Sequence, residues 1–103
     1  MSTISTITDR ARPMRPGEVL VEVYLEPRKA TITDLATASG LSRKHVSQIV
    51  HGHVSITAET AVRFARVFET TPELWLNMQS KVDLFDAEAA VPADAVRPLG
   101  AAA

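Results

Sequence analysis

Apolar residues recur along this chain at intervals of three and four, and the punctuation between the runs divides it into five helical segments. The first is predicted from Pro16 to about Leu25, with Pro16 suited to a helix start, Pro27 closing the stretch, and Val19, Leu20, Val23 and Tyr24 as the buried stripe. The second follows Thr31, a capping hydroxyl with Asp34 three residues on; it buries Ile32, Leu35 and Ala36 and stops at Gly40. Ser42 caps the third, whose inward positions are Val46, Ile49 and Val50 and whose end is marked by Gly52. His53 to Ile56 reads as a loop. Thr57 caps the fourth, with Ala61, Ala65 and Phe68 on an apolar face joined by Val62 and Phe64. Thr71-Pro72-Glu73 repeats the start signal, and the fifth helix is predicted from Pro72 to about Phe85. There Leu74, Trp75, Met78 and Val82 fall on one side, and Leu76 points outward as a hint of a partner surface. With no alternating run long enough to demand a sheet, the fold class is all-α.

Residues 32–51, ITDLATASGLSRKHVSQIVH, combine these signals into a helix-turn-helix. Leu35 and Ala36 pack the first helix of the pair, and Ala36 is small where the two helices approach most closely. Gly40 suits the positive φ of the turn, and Leu41 plugs the corner. Val46 and Ile49 face the core and set the roll of the second helix, so Ser42, Arg43, Lys44, Ser47, Gln48 and His51 are left on the outward stripe. Those are groove-reading side chains. Arg43 can grip guanine with a forked pair of donors, Gln48 can pair with the edge of adenine, and Ser42, Ser47 and His51 can meet phosphate or base. The competing reading is a helical hairpin in a protein-binding module whose polar face is simply solvated.

Charge first argues against a nucleic-acid partner, because the 103 residues carry a formal net charge of only −1. The average hides a split: residues 1–53 hold seven basic against five acidic side chains, and residues 54–103 four against seven. The cations thus sit with the helix-turn-helix. No cysteine is present, so disulfides and thiolate metal sites are excluded. His45, His51 and His53 lack carboxylate or thiolate partners at ligand spacing, and no metal or other cofactor is expected. Paired carboxylates, a phosphate-binding glycine loop and an activated nucleophile are all missing from the pattern, so no enzymatic activity or small-molecule substrate is expected. No apolar run approaches the roughly 20 residues that span a bilayer. A cytoplasmic protein with no membrane partner is the expectation. Residues 1–12 read as a flexible Ser/Thr-rich arm, 13–86 as the folded domain and 87–103 as a flexible Ala/Pro-rich tail.

The motifs also resemble a known family. Arg15-Pro16-Gly17-Glu18-Val19-Leu20, Leu25-Glu26-Pro27, the helix-turn-helix, Ile56-Thr57 with Thr60-Ala61 and Arg63, and Thr71-Pro72-Glu73-Leu74-Trp75-Leu76-Asn77-Met78-Gln79 look like the HigA-type antitoxins, a branch of the Xre, lambda-repressor-like regulators. The resemblance covers about residues 13–86 in one register. It implies a five-helix lambda-repressor-like domain acting as a homodimer on a palindromic operator of its own operon. A further implied partner is a HigB-like toxin of the RelE-like, messenger-RNA-cleaving type. Carried over by position, Ser42, Arg43, Lys44, Ser47 and Gln48 are the implied DNA contacts, and the fifth helix, with Trp75, Leu76, Leu84 and Phe85, is the implied dimer region. A stand-alone Xre-type regulator without a toxin would show the same residues.

Five further residues have two readings each. Trp75 could stack a base, but at helical spacing with Leu74 and Met78 it reads better as core or dimer interface. Arg63 and Arg66 either reach phosphate or pair with Glu59 and Glu69. Arg12 and Arg15 either form a minor-groove arm or stay solvated.

Overall fold

Hydroxyl side chains open four of the five helices, as the sequence predicts. In the computed structural model, which describes residues 12–100, Thr31 Oγ1 accepts from the Asp34 amide at 3.1 Å, and Asp34 returns the bond to the Thr31 amide at 2.8 Å. Ser42 caps through the His45 amide at 3.0 Å, Thr57 through Thr60 at 3.3 Å and Thr71 through Leu74 at 3.2 Å. Each cap satisfies one of the orphan donors of a first turn. The elements are α2 (Ile32–Ser39), α3 (Arg43–Val50), α4 (Ala58–Phe68) and α5 (Pro72–Ala90), preceded by a composite α1. No strand occurs among the described residues.

α1 departs from the predicted helix. It is α-helical over Pro16–Val19, π-helical over Leu20–Leu25 and a 3-10 turn over Glu26–Arg28. The wider π turn brings residues five apart onto one face, so Leu20 and Leu25 are buried together. Val23, expected in the stripe, is turned out and 52% exposed. Pro27 lies inside the 3-10 turn, and the reversal falls at Lys29, whose φ is 54°. Arg28 closes the segment, donating to the Tyr24 carbonyl at 2.9 Å with its guanidinium over the Tyr24 and Phe68 rings.

Around a core of Leu20, Leu25, Leu35, Val46, Ile49, Phe64, Phe68 and Trp75, α2 packs on α3 and α4, α4 on α5, and α1 on α3 and α5. Trp75 is its largest member, with ring centroids 5.2 Å from Tyr24 and 5.3 Å from Phe64, and its indole N–H donates to Thr70 Oγ1 at 2.9 Å. A buried indole needs such a partner. α5 runs to Ala90, past the end expected near Phe85, so Ala87–Ala90 are helical and not part of an irregular tail. Residues 91–100 are exposed and non-helical. The arm expected over residues 1–12 lies outside the described residues except for Arg12, as do 101–103 of the tail. Among the described residues, no helix is long and apolar enough to cross a membrane.

Candidate nucleic-acid interface

The turn between α2 and α3 sets which side of α3 faces out. Gly40 takes φ 77°, and its amide donates to the Ala36 carbonyl at 2.9 Å, ending α2 in the left-handed conformation that favours glycine. Ser39 Oγ donates to the same carbonyl at 3.4 Å and accepts from the Leu41 amide at 3.3 Å, so the corner is tied by its own hydrogen bonds. Leu35, Ala36, Val46 and Ile49 are buried, and Leu41 packs half-buried against them. With Val46 at 0% and Ile49 at 2% exposure, the roll of α3 is fixed.

That roll leaves Ser42, Arg43, Lys44 and His51 exposed and Ser47 and Gln48 half-buried on the same outward side. Ser42 spends its hydroxyl on the cap. Arg43 and Lys44, in the first turn, have no ion-pair partner among the described residues. His51 Nδ1 lies 2.8 Å from the Ser47 carbonyl and 3.3 Å from Ser47 Oγ. Because a carbonyl only accepts, this contact selects the form with hydrogen on Nδ1 and leaves Nε2 as the nitrogen available to a partner.

α3 is held from a third side by a contact that no local signal announces. A Cβ on Gly17 would stand 2.5 Å from the Val50 carbonyl oxygen and closer still to that of Ile49. The start of α1 therefore lies directly on the last turn of α3, and only glycine fits. Beyond it, Arg15 passes over Gly52, where an added Cβ would meet its Cδ at 3.2 Å. The loop after α3 is fastened to α5, since the Ile56 amide donates to Gln79 Oε1 at 2.9 Å and Gln79 Nε2 donates to Asp83 at 2.9 Å.

Arg63 pairs with Glu59 at 3.0 Å, and the Glu69 partner foreseen for Arg66 is not engaged. Arg12 is held by Asp86, 74 residues away, through a forked pair at 2.6 and 3.1 Å. His51 and His53 stack loosely at 6.1 Å, and no cluster able to hold a metal ion occurs among the described residues. Trp75, expected at a dimer interface, is fully buried in the protomer and has no surface to offer a second copy. Leu76, expected outward, is half-buried against the core, whereas Leu74, expected inward, is 36% exposed. The inward line of α5 is Trp75, Gln79 and Val82, and Leu74 and Leu76 flank it on opposite sides, so neither points squarely in or out. Leu84 is exposed and Phe85 half-buried beneath the Arg12 guanidinium.

The helix-turn-helix family profile matches residues 22–75, more than half of the chain. The chain belongs to the Xre-type helix-turn-helix family. Within it, the chain is 43% identical over 77 residues to antitoxin HigA-1 of Vibrio cholerae, covering 75% of this chain and 72% of that protein. A helix-turn-helix-type transcriptional regulator of Haemophilus influenzae is 47% identical over 77 residues, with the same two coverages. Among solved structures, the Pseudomonas aeruginosa antitoxin HigA with the higBA promoter superposes with a TM-score of 0.79 at 34% identity, covering 85% of this chain and 99% of that one. The likeness is thus to HigA antitoxins in both sequence and structure.

Proposed function

We propose that this member of the HigA-like branch is the antitoxin of a type II toxin-antitoxin pair: a dimeric repressor of its own operon that also neutralises a RelE-like toxin. The observation that carries the DNA half is the fixed roll of α3, with Val46 and Ile49 buried, Ser42, Arg43, Lys44 and His51 exposed and Ser47 and Gln48 half-buried on the outward side. Arg43 is suited to guanine and Gln48 to adenine, each good forked pair contributing about 1–3 kcal/mol of discrimination, and Lys44 supplies a phosphate contact. Support comes from the HigA of P. aeruginosa, solved with a promoter. Two copies associating through α5 would set their α3 helices about one DNA turn apart, roughly 34 Å, to read both halves of a palindrome.

Gel-shift titration against the chain's own upstream DNA tests this reading. Arg43→Ala and Gln48→Ala are expected to weaken operator binding by about 1–3 kcal/mol each, and Lys44→Ala to lower the salt slope by about one. Undiminished operator binding by both variants would remove α3 as the reader, and a wild type without operator affinity would leave a protein-binding module. Co-expression with the neighbouring gene tests the toxin half: rescue of growth supports it, and no effect leaves a stand-alone regulator.

A further inference from the structure

Arg63 lies on α4, outside the helix-turn-helix, yet its guanidinium reaches the corner of that motif. Nη1 donates to the Ser39 carbonyl at 2.7 Å, while Nε and Nη2 both hold Glu59 Oε2 at 3.0 Å. The Ser39 carbonyl is one of the last four of α2 and has no partner within its own helix. A short bond from a charged donor is the strongest kind such a carbonyl receives. The other ties at the corner are made by residues 36–42 among themselves, so the Arg63 bond is the long-range one, spanning 24 residues.

The vacancy that admits it is Gly40. A Cβ there would stand 2.8 Å from Arg63 Nη1, so the glycine serves the guanidinium as well as the φ of 77°. Glu59, one helical turn before Arg63, keeps the planar fork turned toward the corner, which a lysine could not reproduce. Arg63 is half-buried and lines an open groove with Ala38, Ser39 and Val62, so its head is held there by these hydrogen bonds and not by packing. Engaged by both Glu59 and Ser39, Arg63 has most of its donors occupied and is poorly placed to act as a phosphate contact.

We propose that Arg63 is a positioning residue for operator recognition: by anchoring the end of α2 to α4, it sets the angle at which α3 presents Arg43 and Gln48. This rests on the operator reading above. A lock on angle acts on base readout, which tolerates little displacement, and leaves the backbone contacts that any duplex offers.

The test is to measure affinity for the upstream operator and for a scrambled duplex of equal length, across a salt series, for the full-length wild type, Arg63→Ala, Arg63→Lys and Glu59→Gln. Arg63→Ala should lower the operator-to-scrambled ratio about tenfold, the scale of one charge-assisted hydrogen bond, with the scrambled affinity and the salt slope unchanged. Arg63→Lys should recover part of the ratio and Glu59→Gln should lose a smaller part. An equal loss on both duplexes with a slope reduced by about one would overturn the proposal and make Arg63 a phosphate ligand. A ratio equal to wild type in all three variants would also overturn it, whatever happens to thermal stability. Should Arg63→Ala not fold, Arg63→Lys and Glu59→Gln decide the matter by the same ratio. Failure of the operator reading is distinguishable, because the wild type itself would then not discriminate between the duplexes.

Discussion

α3 and α5 are held in opposite ways. The eight residues of α3 are fixed along their whole length: the Ser42 cap and the Gly40 turn hold its start, Val46 and Ile49 its middle, and Gly17 its end. The nineteen residues of α5 are fixed at the beginning, where Trp75 and Val82 are its buried side chains, and beyond Val82 the helix is largely exposed, with Leu84 at 58%. A helix that must display one polar face in one rotation gains from restraint at every turn. A helix that offers apolar surface beyond its own core leaves that surface to something else, and the proposed dimer contact draws on this outer part and on Leu74 nearer the start.

The sharpest way to break the contrast is to truncate one side chain from each part of α5. Trp75→Ala should cost about 3–5 kcal/mol in urea unfolding, since the indole fills the space among Tyr24, Phe64 and Phe68. Leu84→Ala should change dilute-solution stability by no more than about 0.5 kcal/mol. A Leu84→Ala cost that grows with protein concentration would place Leu84 between two copies, because association then contributes to the measured stability.

Next in size is the restraint on α3. Gly17→Ala drives a methyl into two backbone carbonyls that belong to a helix end and cannot swing aside. The expected cost is about 1–3 kcal/mol of stability, measured by chemical denaturation, with faster amide exchange in the last turn of α3 than elsewhere in the helix. Wild-type exchange in that turn would mean that α1 merely touches α3 and does not restrain it.

Much of this architecture was readable from local pattern. Caps at Thr31, Ser42, Thr57 and Thr71 depend on a hydroxyl and an amide three residues on, and Gly40 on a φ that favours one residue type, so both are encoded within a few positions. The outward set on α3 follows from the 3.6-residue period. What escaped depends on partners far along the chain. Gly17 gives no sign in sequence of the carbonyls above it, Arg63 shows its i,i+4 match to Glu59 but not Ser39, and Gln79 shows nothing of the Ile56 amide. The π turn misled for another reason: a 3.6 period assigns Val23 inward, and only packing at Leu20 and Leu25 widens the helix. On α5, apolar residues all round the helix blur the period, so Leu74 and Leu76, which flank the inward line, are not separated by pattern, and of the two readings of Trp75 burial bears out the core. The end of α4 carries no local mark either, since Glu69 closes it at φ 57° without a glycine.

The smallest expected effect tests a long-range tie on the outer part of α5. Arg12 holds Asp86 with both terminal nitrogens and lies 5.7 Å over the Phe85 ring. The hydrogen bond from Arg12 keeps the Asp86 carboxyl below the usual carboxylate range, against a smaller opposing effect of desolvation, and the Arg12 guanidinium is raised in turn by the same bond. A carboxylate whose folded-state pKa is lowered adds stability above the unfolded value, about 3.9 for aspartate, and that contribution disappears as pH falls through the lowered folded value. The pair should therefore be intact at neutral pH and released only in acid. Followed by carbon NMR of the side-chain carboxyl, the Asp86 titration midpoint should lie below that of an aspartate in a short peptide, and Arg12→Ala should return it to the ordinary range. Because both groups are solvent-exposed and screened by salt, Asp86→Asn should leave the unfolding midpoint at pH 7 unchanged. A marked loss of stability on that substitution would show that the outer part of α5 is as firmly tied as α3, and the contrast between the two helices would fail.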